Sequence, residues 1–138
     1  MSEAREQKDE GQLSLVMLAG DFGRLHFGLV TAAAALAVNR PVTLFFTMGA
    51  LQALRRDQGW RALPGAARDD LLKARGLGQF EELLEACLAL GAKIMVCEMG
   101  LQAEGLSLAD LRPDLILEPG GMVSFLADAG SNSQIVMV

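Results

Sequence analysis

Five short apolar runs, none joined to the next by a hairpin signal, limit what this chain can fold into. They are Leu13–Ala19, Val42–Thr47, Ile94–Val96, Leu115–Leu117 and Gln134–Val138. Most are apolar without interruption, which is how strands buried on both faces read. Helical patterns alternate with them, over about Gly23–Val38, Met48–Arg55, Gln79–Leu90, the stretch from Cys97 to Gly105, and Met122–Ala129. Strands alternating with helices specify a mainly parallel five-stranded sheet with helices on both faces, an α/β fold. In such a sheet the carboxyl ends of the strands share one edge, and ligands collect there.

Local signals place the boundaries. Asp21 is set to cap the first helix after the Gly20-Asp21-Phe22-Gly23 turn. The LVTAAAALAV interior of that helix is small and apolar nearly all round, as a sandwiched helix is. Gln79–Leu90 is amphipathic, with Phe80, Leu83, Leu84, Cys87 and Leu90 at helical spacing, so Cys87 reads as core. Gly105, Pro113 and Gly130 are stops. Ser107 and Asp110 bracket one further turn. Residues 1–12 are polar and read as a flexible tail. Residues 13–138 read as a single domain with an insertion at about 56–78, which mixes charge, glycine and proline with one amphipathic piece. A stretch of that length reads as an insertion or lid more than as core; its one aromatic, Trp60, then pins the loop to the body or serves the loop's own function.

Composition removes several function classes. With 138 residues, 51% hydrophobic and 21% charged, the chain has the makings of one sizeable core. A net charge of −5, no tyrosine and one tryptophan leave neither a basic footprint nor a stacking platform, so no nucleic-acid partner is expected. The longest apolar run, Phe27–Val38, is too short to span a bilayer, and residues 1–12 lack a signal-peptide h-region; the expectation is a cytoplasmic protein with no membrane partner. One histidine and two cysteines show no ligand spacing, so neither a metal site nor a cofactor is expected. The Gly20–Gly23 turn lacks the spacing of both a phosphate loop and a dinucleotide fingerprint.

The chemistry that remains centres on Cys97. It lies where the run Ile94–Val96 gives way to a helix, and a thiol in that place can face the positive end of the helix, which favours a thiolate. Two readings stay open: a nucleophile, or a small buried hydrophobe. Glu98 follows directly; it suits the helix start yet opposes a neighbouring anion. His26, one turn into the first helix, either supports that sulfur or is structural. No second cysteine stands at CxxC spacing, which disfavours dithiol chemistry. A lone thiol can still take a sulfane sulfur and pass it on. Asp21, Met48, Cys97 and Gly120-Gly121 all fall near the carboxyl edge.

Three stretches carry a family likeness: LAGDFGRLHFGLVTAAAALAVNRPVTLFFTMGALQAL, KIMVCEMGLQAEGLSLADL and PGGMVSFLADAGSNSQIVMV. Together they resemble the DsrE/DsrF-like (DsrEFH-like) family, closest to the branch labelled peroxiredoxin-like. The most specific element is Cys97-Glu98-Met99, where that branch has Cys-Gln-Met. Gly20-Asp21, Phe45-Phe46-Thr47 and Gly120-Gly121 support it. The chain departs from the branch at Glu98, at Leu101 and Ala103, and in an insertion without methionine. The resemblance implies a three-layer α/β/α sandwich, a small symmetric homo-oligomer (trimer or hexamer), and a cytoplasmic sulfur-relay role with Cys97 as the persulfide-carrying residue.

The resulting expectation is a sulfur-carrier or sulfurtransferase-like protein relaying sulfane sulfur on Cys97 between donor and acceptor proteins. Asp21, Phe22, Met48, Glu98, Met99, Gly120 and Gly121 would line the site. The alternative is a non-catalytic oligomeric module of the same fold that binds a small ligand or a protein, with Cys97 only a pocket wall. Its 51% apolar content also points to subunit contacts.

Overall fold

The computed structural model describes residues 11–138. The expected tail over residues 1–12 therefore lies outside the described residues as far as residue 10, and Gln12 is already the first residue of a strand. In order, the chain forms β1 (Gln12–Met17), α1 (Phe22–Ala37), β2 (Val42–Phe46), 3-10 turns at Met48–Leu54 and Gly59–Ala62, α2 (Arg68–Ala74) and α3 (Phe80–Ala89). There follow β3 (Lys93–Cys97), α4 (Glu98–Glu104), a 3-10 turn at Leu108–Asp110, β4 (Leu117–Gly120), α5 (Met122–Ala129) and β5 (Ser133–Met137). The strands make one sheet in the order β4-β3-β2-β1-β5, and every pairing is parallel. The α/β class, the five parallel strands and the helical layers match the expectation from the alternating apolar runs.

Side chains alternate across a strand, and the two faces of this sheet are unequally covered. Leu13, Leu15, Met17, Val42, Leu44, Phe46, Ile94 and Val96 point into the main core with Leu25 and Leu29 of α1 and Phe80, Leu84 and Cys87 of α3. Ala50, Leu51, Ala53 and Leu54 of the first 3-10 turn and Leu101 of α4 join them. The other face holds a small cluster: Val16, Phe45, Met95 and Cys97 from the strands and Phe125 from α5. Its centre is the Phe45–Phe125 pair, stacked at 4.8 Å.

β1 and β5 are shifted by one or two residues from the expected runs, and three further differences from the sequence reading stand out. β4 is Leu117–Gly120 and not Leu115–Leu117, because β4 is an edge strand and an edge tolerates Pro119, which has no N–H to give to the ladder. The expected helix at Met48–Arg55 is a tighter 3-10 winding. It starts at Met48 with φ +48°, and Gly49 lies so close to Gly20 that a Cβ on Gly49 would sit 3.1 Å from the Gly20 Cα. Finally, Leu90, expected on the packed face, is exposed just past α3.

The 56–78 segment builds one wall of the main core. Trp60 is only 1% exposed, stacks on Phe80 at 4.9 Å and meets Phe22 at 5.8 Å. Its indole N–H donates to Glu81 at 2.6 Å, and Arg112 grips the same carboxylate through two nitrogens at 2.8 and 2.9 Å. The guanidinium holds the Glu81 carboxyl below its usual range. Asp69 of α2, itself buried, accepts from the Phe80 N–H at 2.8 Å and from the Gln79 amide at 2.9 Å, so α2 fixes the start of α3. Replacing Trp60 with alanine removes an aromatic from a closed core and leaves Glu81 short of a donor. The expected cost is about 3–5 kcal/mol, read as a lowered urea midpoint; a midpoint equal to wild type would return the segment to the status of a loosely attached lid.

Candidate active site at the carboxyl edge

β3 ends in Cys97, and α4 begins at the next residue. Cys97 has extended backbone (φ −78°, ψ 119°) and serves as the N-cap of α4, its Sγ accepting the Gly100 N–H at 3.3 Å. That spacing, cap to third helical residue, is where a serine or aspartate cap would accept. A sulfur in this place stands against the unpaired N–H groups of a first helical turn. α4 can start so abruptly because position 100 is glycine. A Cβ there would lie 2.7 Å from the Met48 N and 2.9 Å from the Thr47 Oγ1. At the far end Gly105 stops the helix in the left-handed region at φ +69°.

The strand order makes this edge a particular place. α4 leaves β3 toward the main core, where Leu101 is buried, while α5 leaves β4 toward the opposite face, where Phe125 is buried. Adjacent parallel strands whose connections depart to opposite faces open a crevice at their carboxyl ends. In this sheet those strands are β3 and β4, and the residues facing each other across their ends are Cys97 and Gly120, paired in register. Gly120 also needs to be small: a Cβ there would meet Ser124 of α5 at 3.2 Å and the Met95 Cε at 3.4 Å.

The residues singled out from sequence divide into two groups. Gly120 and Gly121, the N-cap of α5, adjoin Cys97, and Glu98 and Met99 are exposed in the first turn of α4. Met48 adjoins α4 through Gly100. Asp21 caps α1 by accepting the Arg24 N–H at 3.1 Å, at the end of β1. Phe22 is buried in the main core with Trp60 and Phe80, on the side of the sheet away from the Cys97 cluster. His26 is on that side too, stacked on Phe22 at 5.4 Å with Nε2 2.9 Å from the Gly78 carbonyl oxygen; it ties α1 to the loop before α3.

Gly100 and the Phe45–Met95–Phe125 surround were not singled out from sequence. The Cys97-x-x-Gly100 spacing is a capping signal and could have been read as one. The aromatic surround follows from strand order and carries no local signal. Among the described residues no group of three or more His, Cys, Asp and Glu side chains converges as a metal site.

The two cysteines, both free, differ in setting. Cys87 is fully buried in the main core, its thiol directed at the Leu29 carbonyl, and burial pushes its pKa up to about 11. Cys97 is 4% exposed, with apolar neighbours below and a helix start beside it. The larger surface grooves lie elsewhere. One of about 580 Å³ runs past Arg40 and Asn132, one of about 530 Å³ lies by Lys93 and Ile116, and one of about 410 Å³ lies between α1 and β5; none of the three is lined by Cys97.

The fold has counterparts among solved structures. The crystal structure of the ychN protein from E. coli superimposes with a TM-score of 0.61 at 21% identity, over 91% of this chain and 97% of that one. MTH1491 from Methanobacterium thermoautotrophicum, described as a protein of unknown function, gives a TM-score of 0.65 at 12% identity, over 92% of this chain and 98% of that one. At these identities the likeness is one of fold. No family model matches the chain, and no curated protein does. No helix among the described residues is long and apolar enough to cross a membrane.

The contrast between the thiols gives a direct test. With iodoacetamide at neutral pH, peptide mass spectrometry should find Cys97 alkylated well before Cys87. The reverse order would mean that the two sheet faces differ in accessibility in the opposite sense.

Proposed function

We propose that this protein carries sulfane sulfur as a persulfide on Cys97, relaying it between thiol-bearing partners in the cytoplasm. The observation that carries the reading is the placement of a single thiol at the paired carboxyl ends of β3 and β4 with the Gly100 N–H 3.3 Å from its sulfur. An N–H directed at sulfur stabilises negative charge on it. The other cysteine points into the main core on the other sheet face, so the sulfur has no internal disulfide partner. The resemblance at Cys97-Glu98-Met99 to the DsrE/DsrF-like family supports the same role. Glu98, Met99, Gly120 and Gly121 would border the approach, with Met48 behind α4.

The step balances without an oxidant. The Cys97 thiolate attacks the outer sulfur of a donor persulfide; a new S–S bond forms on Cys97, the donor's S–S bond breaks, and the donor leaves as a thiolate. The acceptor repeats the exchange in reverse. Incubation of the reduced protein with a low-molecular-weight persulfide should add about one sulfur per chain, removable by excess thiol. Cys97→Ser should abolish the adduct with the fold intact. An adduct that persists in that variant, or none from any of several donors, would favour the second reading, a binding module of the same fold. The near-complete burial of Cys97 is what speaks for that second reading.

Assembly into a homo-oligomer, a trimer or hexamer by the family resemblance, belongs to the same proposal. Phe27 on α1 and Met137 on β5 are large apolar side chains at the surface, and among the described residues β5 is an edge strand. Light scattering at micromolar concentration should return a multiple of the 14.7 kDa chain mass; a monomer would remove this part of the proposal.

A further inference from the structure

We infer that α5 is a hinged cover over the Cys97 face of the sheet, latched by Asp128, and that its detachment controls access to the thiol. The inference concerns access to the sulfur and holds whatever chemistry the sulfur performs. Cys97 shares its cluster with Phe125, and among the described residues α5 is the helix whose side chains close that face. α5 is lightly anchored by apolar contacts: of its eight residues only Phe125 and Ala129 are buried. Glycines stand at both ends, Gly120-Gly121 before it and Gly130, at φ +66°, after it. A short helix with little buried apolar surface opens locally at low cost, and small residues at element ends absorb hinge rotations.

The compensating attachment is polar and lies one turn beyond Phe125. The Asp128 carboxylate accepts hydrogen bonds from three different strands: Gln12 Nε2 of β1 at 3.0 Å, Thr43 Oγ1 of β2 at 2.8 Å and Lys93 Nζ of β3. Gln12 Nε2 also reaches Thr43 Oγ1 and Ser14 Oγ, each at 3.0 Å, and Ser14 meets Ser133 of β5 at 2.9 Å. Thr43 and Ser14 are almost wholly buried. If α5 lifts, Gln12, Thr43 and Lys93 lose the same carboxylate at once, so the three bonds of the latch release together and give the helix two states. Asp128 is therefore a positioning residue. It touches nothing at the carboxyl edge and acts on Cys97 through the seating of Phe125.

The test compares iodoacetamide rates at both cysteines in the full chain, with hydrogen exchange of residues 121–130 as a second readout. In Asp128→Ala, Cys97 should be alkylated about tenfold faster or more, as loss of charge-assisted hydrogen bonds shifts an opening equilibrium. Cys87 should keep its wild-type rate, and exchange should quicken in α5. Asp69→Asn, which weakens the other side of the sheet, should leave the Cys97 rate and α5 exchange as they are. If Asp128→Ala does not fold, Asp128→Asn and Lys93→Met remove part of the latch and are judged by the same ratio. An unchanged Cys97 rate, a parallel rise at both cysteines, or a faster Cys97 without faster exchange in α5 would each overturn the inference.

Discussion

The closeness of Gly100 to the Thr47–Met48 backbone governs the geometry of the whole carboxyl edge. Any side chain at position 100 would collide with the Met48 main-chain nitrogen at 2.7 Å, just past the end of β2. With glycine there, α4 lies flat against the end of its neighbouring strand and starts immediately after Cys97. A helix beginning one or two residues later would leave the thiol on a loop. Beginning where it does, it makes the sulfur a helix cap, a position otherwise held by oxygen-bearing side chains. The Gly20–Gly49 contact does comparable work between the ends of β1 and β2, so three glycines set the spacing of this edge.

The second constraint is the imbalance between the two faces of the sheet. One is sealed by α1, α3, the 3-10 windings and the Trp60 segment around a large continuous core. The other has α5, five clustered apolar side chains and a polar network. Burial of a large apolar side chain contributes roughly 1.5–3 kcal/mol, so the first face supplies most of the hydrophobic stabilisation and can hold the sheet while the second rearranges. Cys97 and Cys87 fall on opposite sides of that division. The same residue type thus has a thiol sealed in the main core in one place and a sulfur beside helix N–H groups in the other; α3 packing on the first face decides the one, and strand parity in β3 the other.

The Trp60 segment shows how a mixed composition can mislead. Charges, glycines and a proline between residues 56 and 78 read as a loop outside the core. Yet Trp60 and Asp69 are among the most buried residues of the molecule. Both are held by partners distant in sequence, Glu81, Arg112 and Phe80, that satisfy their polar atoms or stack on their ring. Polar residues enter a core when their partners come with them, and long-range partners leave no trace in local periodicity.

Much of the fold was legible because it rests on local patterns. Continuous apolar runs gave the buried strands, Asp21 and Gly105 marked a helix start and a helix stop, and the spacing of Phe80, Leu84 and Cys87 gave the packed face of α3. The position of Cys97 at a strand-to-helix junction followed from the same patterns. What sequence could not decide was strand order, since every order of five parallel strands is compatible with the same runs. Only the tertiary structure puts β4 beside β3 with their connections on opposite faces, and so makes the Cys97–Gly120 pair the switch point of the sheet. It likewise decides that Phe22 belongs to the main core while Gly120 adjoins the thiol. Both residues lie near strand ends along the chain, and what separates them is the side of the sheet on which each next helix packs. That choice is made by the collective burial of apolar faces, and no single stretch of sequence encodes it.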